Sequence, residues 1–179
     1  MNMTAAQAAL LVKPGSTIFI QTAAAAPQQI INALVARAVQ LHDITIYQMH
    51  TEGEAPYGAP GMESIFTVNC FFVGANLRKA VQEGRANYIP ISLSEIPALF
   101  RSGTISVDCA LIHVSPPDEH GFCSLGVSVD IAPAVLAKAK CIIAQVNPRM
   151  PRTLGPGFIH ISKINSVVET NDEIFEIHP

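Results

Sequence analysis

The stretch Ser115–Asp130, SPPDEHGFCSLGVSVD, separates two apolar runs of different character. Before it, Cys109–Val114 (CALIHV) is almost continuously apolar and reads as a strand covered on both faces. After it, Ile131–Lys140 reads as a helix, with Asp130 placed to act as its N-cap. Strand, long loop and helix make one unit of an open α/β sheet, in which ligands bind beyond the carboxyl ends of the strands. A loop of this length, punctuated by Pro116, Pro117, Gly121 and Gly126 and loaded with serines and acidic groups, reads as a site rather than a linker.

Outward from that unit the same alternation continues. A short amphipathic helix, Thr4–Val12, and a Pro14-Gly15 turn precede a strand at Thr17–Gln21. Pro27 is suited to open the next helix, where its missing N–H is harmless, and Ile30, Ile31, Leu34, Val35 and Ala38 share one face of it. Asp43–Met49 is a second strand, followed by a Gly/Pro-rich loop from His50 to Gly61. Ile65–Val73 is apolar, Ala75–Glu83 is a short helix ended by Gly84, and Ala86–Ile91 is a further strand. Ser92 and Glu95 have the spacing of a capping box opening a helix to Arg101. Cys141–Val146 is another buried strand, and Phe158–Ile161 and Ile174–His178 read as short edge strands. Alternation of this kind predicts a three-layer α/β/α sandwich around a mainly parallel sheet.

Composition narrows the function. The 179 residues suffice for one domain with a full core. Charged residues make up 14% of the chain, against roughly a quarter in an average soluble domain, while hydrophobic residues reach 49%. Such a chain either leaves apolar surface for a partner, a homo-oligomer included, or is simply an Ala-rich α/β domain with a large core. A net charge of −3 with scattered basic residues excludes a nucleic-acid footprint. No apolar run approaches the ~18 residues of a membrane span, and the start, MNMTAAQAALLVKPG, lacks a basic segment ahead of its apolar stretch. Cys70, Cys109, Cys123 and Cys141 share no CxxC spacing and read as small buried hydrophobes. These features together predict a cytoplasmic protein. The strand-like ending at Ile174–Pro179 reads as the edge of a first domain rather than a polar tail.

Five loops could carry chemistry. Gln21-Thr-Ala-Ala-Ala-Ala-Pro27 joins a strand end to a helix start, where small residues admit a ligand to backbone N–H groups. His50-Thr-Glu-Gly-Glu-Ala-Pro-Tyr57 offers Glu52 and Glu54 as local candidates for a base or nucleophile, although a solvated turn would look the same. In Phe71-Phe-Val-Gly-Ala-Asn-Leu-Arg78, Gly74 ends a strand, and Asn76 and Arg78 open a helix facing an anion or solvent. Within the loop at 115–130, Asp118, Glu119 and His120 are consecutive and diverge, so they predict no metal site. Ser124 is a donor candidate, and no G-x-S-x-G elbow occurs. Finally, Gln145-Val-Asn-Pro-Arg-Met-Pro-Arg-Thr153 brings an amide at Asn147 and two arginines to the end of a strand. No P-loop or G-x-G-x-x-G is present, which disfavours nucleotide binding.

Read in order, these loops resemble the N-terminal half of the acetyl-CoA hydrolase/transferase family, whose members include 4-hydroxybutyrate CoA-transferases. The resemblance rests on the HTEG loop at His50, the FFVGxNxR wording at Phe71, the GRAxYxPxxLSEIP segment from Gly84 to Pro97, the stretch at Ser115 and NPxMPRT from Asn147. It implies the CoA-transferase fold and CoA transfer from an acyl-CoA to a small carboxylate through a glutamyl-CoA thioester, with coenzyme A as substrate and no metal. It places the glutamate in a C-terminal domain, the expected partner, so no catalytic residue is expected here and the chain alone is expected to be inactive. The residues it marks as substrate-binding are Gln21, Ala23, Ala24 and Pro27; His50 and Glu52; Gly74, Asn76 and Arg78; Ser115, Pro117, Asp118, Gly121 and Ser124; and Asn147 with Met150. Where many relatives have a histidine this chain has Gln21, which keeps a polar contact but no titratable group. Two other readings stand beside it. One is a sugar-phosphate isomerase or deaminase on the same fold, and the other is a non-catalytic module binding small acids or a protein.

Overall fold

Alternation along the first strand sets the layers. In the computed structural model, which describes residues 2–176, Ile18 and Ile20 of β1 (Thr17–Ile20) enter one core and Phe19 enters another on the opposite face. The remaining strands are β2 (Ile44–Gln48), β3 (Phe66–Cys70), β4 (Ala86–Tyr88), β5 (Cys109–Val114), β6 (Phe122–Ser124), β7 (Cys141–Val146), β8 (Phe158–His160) and β9 (Ser166–Glu169). Seven of them form one sheet in the order β4-β3-β2-β1-β5-β7-β9, with every neighbour parallel. The strands β6 and β8 make a separate antiparallel pair.

The helices are α1 (Ala5–Ala9), α2 (Gln28–Ala36), α3 (Arg78–Gln82), α4 (Ile96–Arg101) and α5 (Ala132–Leu136). Only α2 exceeds six residues, so packing rather than intrinsic propensity holds them. Residues of α1, α2 and α3 (Ala8, Ile30, Ile31, Leu34, Ala80) join the core on the first face of the sheet. Ile96 and Phe100 of α4, Ala132 and Val135 of α5, and Cys123 and Ile159 of the β6–β8 pair fill the second. The fold is therefore the three-layer α/β/α sandwich that the alternation predicts.

Several elements differ from the sequence reading. Ser92 and Glu95 form no capping box: α4 starts at Ile96, Glu95 is its cap without a side-chain bond, and Ser92 contributes only its carbonyl. A capping box does form at Thr4 and Gln7, at the start of α1. The helix expected over Ile131–Lys140 is shortened to Ala132–Leu136, with Ile131 rather than Asp130 at the cap position. Phe158–His160 is a strand but lies outside the main sheet. Residues 174–176 are not a strand, and 177–178 lie outside the described residues. The edge belongs instead to β9, whose Ser166, Val167 and Val168 are buried.

Candidate functional site

The chain leaving β1 runs through α2 on one face to β2, while the chain leaving β5 runs through α5 on the other face to β7. Adjacent loops that diverge in this way leave a crevice at the strand ends, the position where open α/β sheets bind ligands. A cleft of about 420 Å³ lies there, lined by Thr22, Ala23, Met49, His50, Phe72, Leu93, Val127, Ser128, Val129 and Asp130.

Its floor is sewn together by backbone. Ala23 N–H donates to the His50 carbonyl at 2.8 Å, and Glu52 N–H donates to the Ala23 carbonyl at 3.1 Å, extending the β1–β2 pairing by one rung. To make that rung Ala23 adopts φ +50, a left-handed conformation that costs an L-residue roughly 1–2 kcal/mol. The side chain that results is small, which keeps the cleft open beside it.

One wall is held by Gln21, which is fully buried. Its Oε1 accepts from His113 N–H at 2.8 Å, and its Nε2 donates to the carbonyls of Leu125 (3.1 Å) and Ser128 (2.8 Å). That triple contact ties β1 to β5 and to the loop that follows it. Asp130, at the end of the same loop, has φ +26. Its Oδ1 accepts from Ile131 N–H at 2.5 Å and from the Thr22 hydroxyl at 3.2 Å. The residue retains solvent contact, but the crowding of its carboxyl raises its pKa above the usual aspartate value, against the opposing pull of these donors and of His50.

The rim is apolar. Phe72, Leu93 and Val127 are 46%, 50% and 44% exposed around the mouth. Phe71 points the other way into an aromatic cluster with Tyr47 and Phe100, so the Phe-Phe pair serves core and cleft in turn. Beneath the crevice, buried His113 receives Asn147 Nδ2 at its Nε2 (3.1 Å). The same Nδ2 donates to the Asp172 carbonyl, and Asn147 Oδ1 accepts from Arg149 N–H. That arrangement makes His113 Nε2 the acceptor and puts its proton on Nδ1. Burial pushes the imidazole down to about 4. Among the described residues no cluster of three or more His, Cys, Asp and Glu side chains could hold a metal.

An apolar-rimmed, open cleft at a switch point, bounded by one raised-pKa carboxyl and floored by paired backbone, suits a ligand with a short carbon chain and a polar end. Comparison with known proteins narrows this. Residues 2–179 match the family model described as acetyl-CoA hydrolase/transferase N-terminal domain. The chain belongs to that family. It is 44% identical over 170 residues to the succinyl-CoA:acetate/propanoyl-CoA:succinate CoA transferase of Fasciola hepatica, covering 94% of this chain and 35% of that protein. It is 40% identical over 177 residues to the 4-hydroxybutyrate coenzyme A transferase of Clostridium kluyveri, covering 99% of this chain and 41% of that one. The crystal structure of a 4-hydroxybutyrate CoA-transferase from Porphyromonas gingivalis superposes with a TM-score of 0.83 at 32% identity, over 99% of this chain and 41% of the other. The chain thus spans well under half the length of these relatives.

Within this acetyl-CoA hydrolase/transferase domain the residues marked from sequence separate into groups. Ala23 and His50 line the cleft, and Glu52 is stitched to Ala23 beside it. Ala24 is half-buried in the same loop, and Pro27 is the buried cap of α2. Gln21 has all its polar atoms engaged within the chain, so it shapes the wall. Asn76 does not open a helix. Its Nδ2 donates to Thr51 O, Thr51 Oγ1 and Gly53 O, and it clasps the His50–Tyr57 loop. Gly74 passes close by, where a Cβ would lie 3.4 Å from both His50 Cβ and the Thr51 carbonyl. Arg78 begins α3 and is exposed.

The residues of the 115–130 loop divide likewise. Buried Ser115 Oγ accepts from Ser124 N–H, and buried Ser124 Oγ accepts from Gly126 and Thr153 N–H groups, so both hold the loop together. Pro117 is exposed, Asp118 pairs with Arg152 at 2.5 Å, and Gly121 passes against His160. These three belong to a hairpin on the β6–β8 pair and do not line the cleft. Asn147 lies beneath the crevice as described, and buried Met150 packs on Gly126. Sequence reasoning missed Thr22, Met49, Phe72, Leu93 and residues 127–129 as lining, and took Asp130 for a helix cap alone. The signal for Phe72 was present in the doubled phenylalanine at a strand end, only one of which a core can take.

The raised pKa of Asp130 carries a stability consequence. The folded state holds this proton more tightly than the unfolded state, so folding loses stability as pH rises through the folded pKa and recovers it on acidification. Asp130→Asn keeps the acceptor oxygen and tolerates the left-handed backbone. It is therefore expected to raise the melting temperature at pH 7, with the gain vanishing below about pH 4, near the ordinary aspartate value. A pH series of thermal melts on the two proteins checks this; an equal difference at all pH values overturns it.

Proposed function

We propose that this chain is the N-terminal half of a CoA-transferase that moves CoA between an acyl-CoA (4-hydroxybutyryl-, butyryl- or acetyl-CoA) and a carboxylate such as acetate, and that it forms the acyl-side wall of the pocket. The observation that carries this reading is the apolar-rimmed cleft at the β1/β5 switch point, open to one side and of a size for a short acyl group. The names of the relatives above support it, as does their greater length.

The chemistry is the one implied by the family. A glutamate outside this chain attacks the thioester carbonyl, giving an acyl-glutamyl anhydride and CoA thiolate. The thiolate then attacks the glutamyl carbonyl, releases the first carboxylate and leaves a glutamyl-CoA thioester. The incoming carboxylate collects the CoA by the reverse sequence, and water in its place would give hydrolysis. In this scheme Ala23 and the loop at His50 set the floor, Phe72, Leu93 and Val127 exclude water from the acyl chain, and Asp130 bounds the polar end. Preorganised donors facing a developing oxyanion are worth several kcal/mol in acyl transfer; the Ala23 and Glu52 N–H groups are committed to the chain's own carbonyls, so in this scheme those donors come from elsewhere in the composite site.

The test is acetate-dependent CoA transfer from butyryl-, 4-hydroxybutyryl- and acetyl-CoA by the gene product read beyond Pro179, with the 179-residue chain as control. Transfer by the longer protein alone is the expected result. A longer protein that leaves every thioester intact overturns the reading, and turnover by the short chain overturns the assignment of the nucleophile to the other half.

A further inference from the structure

At the amino-terminal edge of the sheet, opposite the cleft, β5 and β7 each begin with a cysteine. Cys109 and Cys141 are ladder partners in the parallel β5–β7 pairing, so their side chains leave the same face of the sheet. Both pack into the core on the α1/α2 face. Neighbouring strands lie about 4.7–4.9 Å apart, within the range of roughly 4.4–6.8 Å between Cα atoms that a disulfide spans. Both thiols are free; Cys109 is buried and Cys141 half-buried. They open into a shallow depression of about 370 Å³ shared with Leu11, Lys13, Ser16 and Asp108. The other two cysteines, Cys70 on β3 and Cys123 on β6, are buried and lie in different cores.

We propose that Cys109 and Cys141 form a reversible dithiol–disulfide site that reacts with small hydroperoxides. Cys141 is the attacking group. It is the more exposed of the two sulfurs, and its interaction with Cys109 lowers its pKa, whereas the buried Cys109 thiol, directed at the Leu11 carbonyl (4.0 Å), is pushed upward. The Cys141 thiolate attacks the O–O bond of hydrogen peroxide, forming a sulfenic acid and releasing hydroxide. Hydroxide takes the Cys109 proton, becoming water, and the Cys109 thiolate displaces hydroxide from the Cys141 sulfur as the S–S bond forms. The second hydroxide is protonated from solvent, replacing the proton Cys141 gave up at the start. Two thiols and one peroxide thus give one disulfide and two waters. A bridge between directly laddered strands is off the unstrained geometry, and strained disulfides are the readily reduced ones.

The experiment treats the full-length protein with hydrogen peroxide, blocks remaining thiols, and maps peptides without reduction. The expected result is a linked pair of peptides containing Cys109 and Cys141, restored to thiols by dithiothreitol, with Cys70 and Cys123 unmodified. In Cys109→Ser, Cys141 should stop at a sulfenic acid that dimedone captures; in Cys141→Ser, Cys109 should remain a thiol. Recovery of Cys141 as an isolated oxidised residue beside free Cys109 in the parent protein overturns the proposal. So does resistance of both cysteines in the folded protein when both oxidise after unfolding.

Discussion

Replacing Gln21 by alanine is expected to destabilise the chain by about 3–5 kcal/mol and to lower its melting temperature by roughly 10 °C. The substitution removes one acceptor and one two-proton donor from a fully buried position. It leaves His113 N–H and the carbonyls of Leu125 and Ser128 without their partner. Each buried group left unpaired costs about 1–3 kcal/mol, and the lost side-chain volume adds to that. Gln21→Glu separates the causes. It fills the same space and still accepts from His113, but at neutral pH it turns a carboxylate oxygen toward two carbonyls. It should be at least as unstable as the alanine variant at pH 7 and regain part of the loss on acidification, when its protonated oxygen can donate. Urea unfolding of the three proteins across pH checks both statements. A loss below about 1 kcal/mol for Gln21→Ala would show that the loop after β5 does not depend on this clasp.

That clasp marks the boundary of what the sequence reveals. The strands β1, β5 and β7 are legible as apolar runs bounded by turn formers and buried on both faces, while β2 and β3 show the alternation of strands buried more fully on one face. Short segments are not legible in this way. Phe122–Ser124 becomes a strand only because Phe158–His160 lies against it, a pairing across more than thirty residues that no local pattern encodes. Ser166–Glu169 takes the sheet edge because β7 offers it a ladder, while residues 174–176, equally strand-like in sequence, form no strand.

The site divides along the same line. Loops at strand ends are visible as clusters of Gly, Pro and small residues, so its location is legible. The direction of each side chain is not. Gln21, Asn76, Ser124 and Asn147 carry the donors and acceptors a substrate would want, yet each uses its hydrogen bonds to hold other segments of the chain in place. Sequence shows that a polar residue is present at a loop, and only tertiary geometry shows whether its hydrogen bonds turn inward or toward a ligand.

His113 is the second group whose loss or ionisation should be felt strongly. Its pKa is pushed from 6.5 to about 4, chiefly by burial, with Asp172 pulling the other way. At pH above 6.5 both folded and unfolded states are neutral and the residue contributes nothing to pH dependence. Between 6.5 and 4 the unfolded chain takes up a proton that the folded chain refuses, so folding loses stability as pH falls, by up to about 3 kcal/mol below pH 4. The paired carboxylates Asp108, Asp118 and Glu83 have lowered values and lose their contribution only below the ordinary carboxylate range, so the window above pH 4 is set apart from theirs. Asp130 acts in the opposite sense, gaining on acidification, and the measurement is therefore cleanest in an Asp130→Asn background. There His113→Gln, which can still accept from Asn147, should flatten the decline between pH 6.5 and 4 even if it is less stable at pH 7. The imidazole of the parent should titrate by NMR near pH 4, and a value near 6.5 would sink the argument. A histidine kept neutral here, with its proton assigned to Nδ1 by Asn147, keeps the buried end of β5 uncharged. Within the cleft itself, Asp130 is the one carboxylate among the described lining residues.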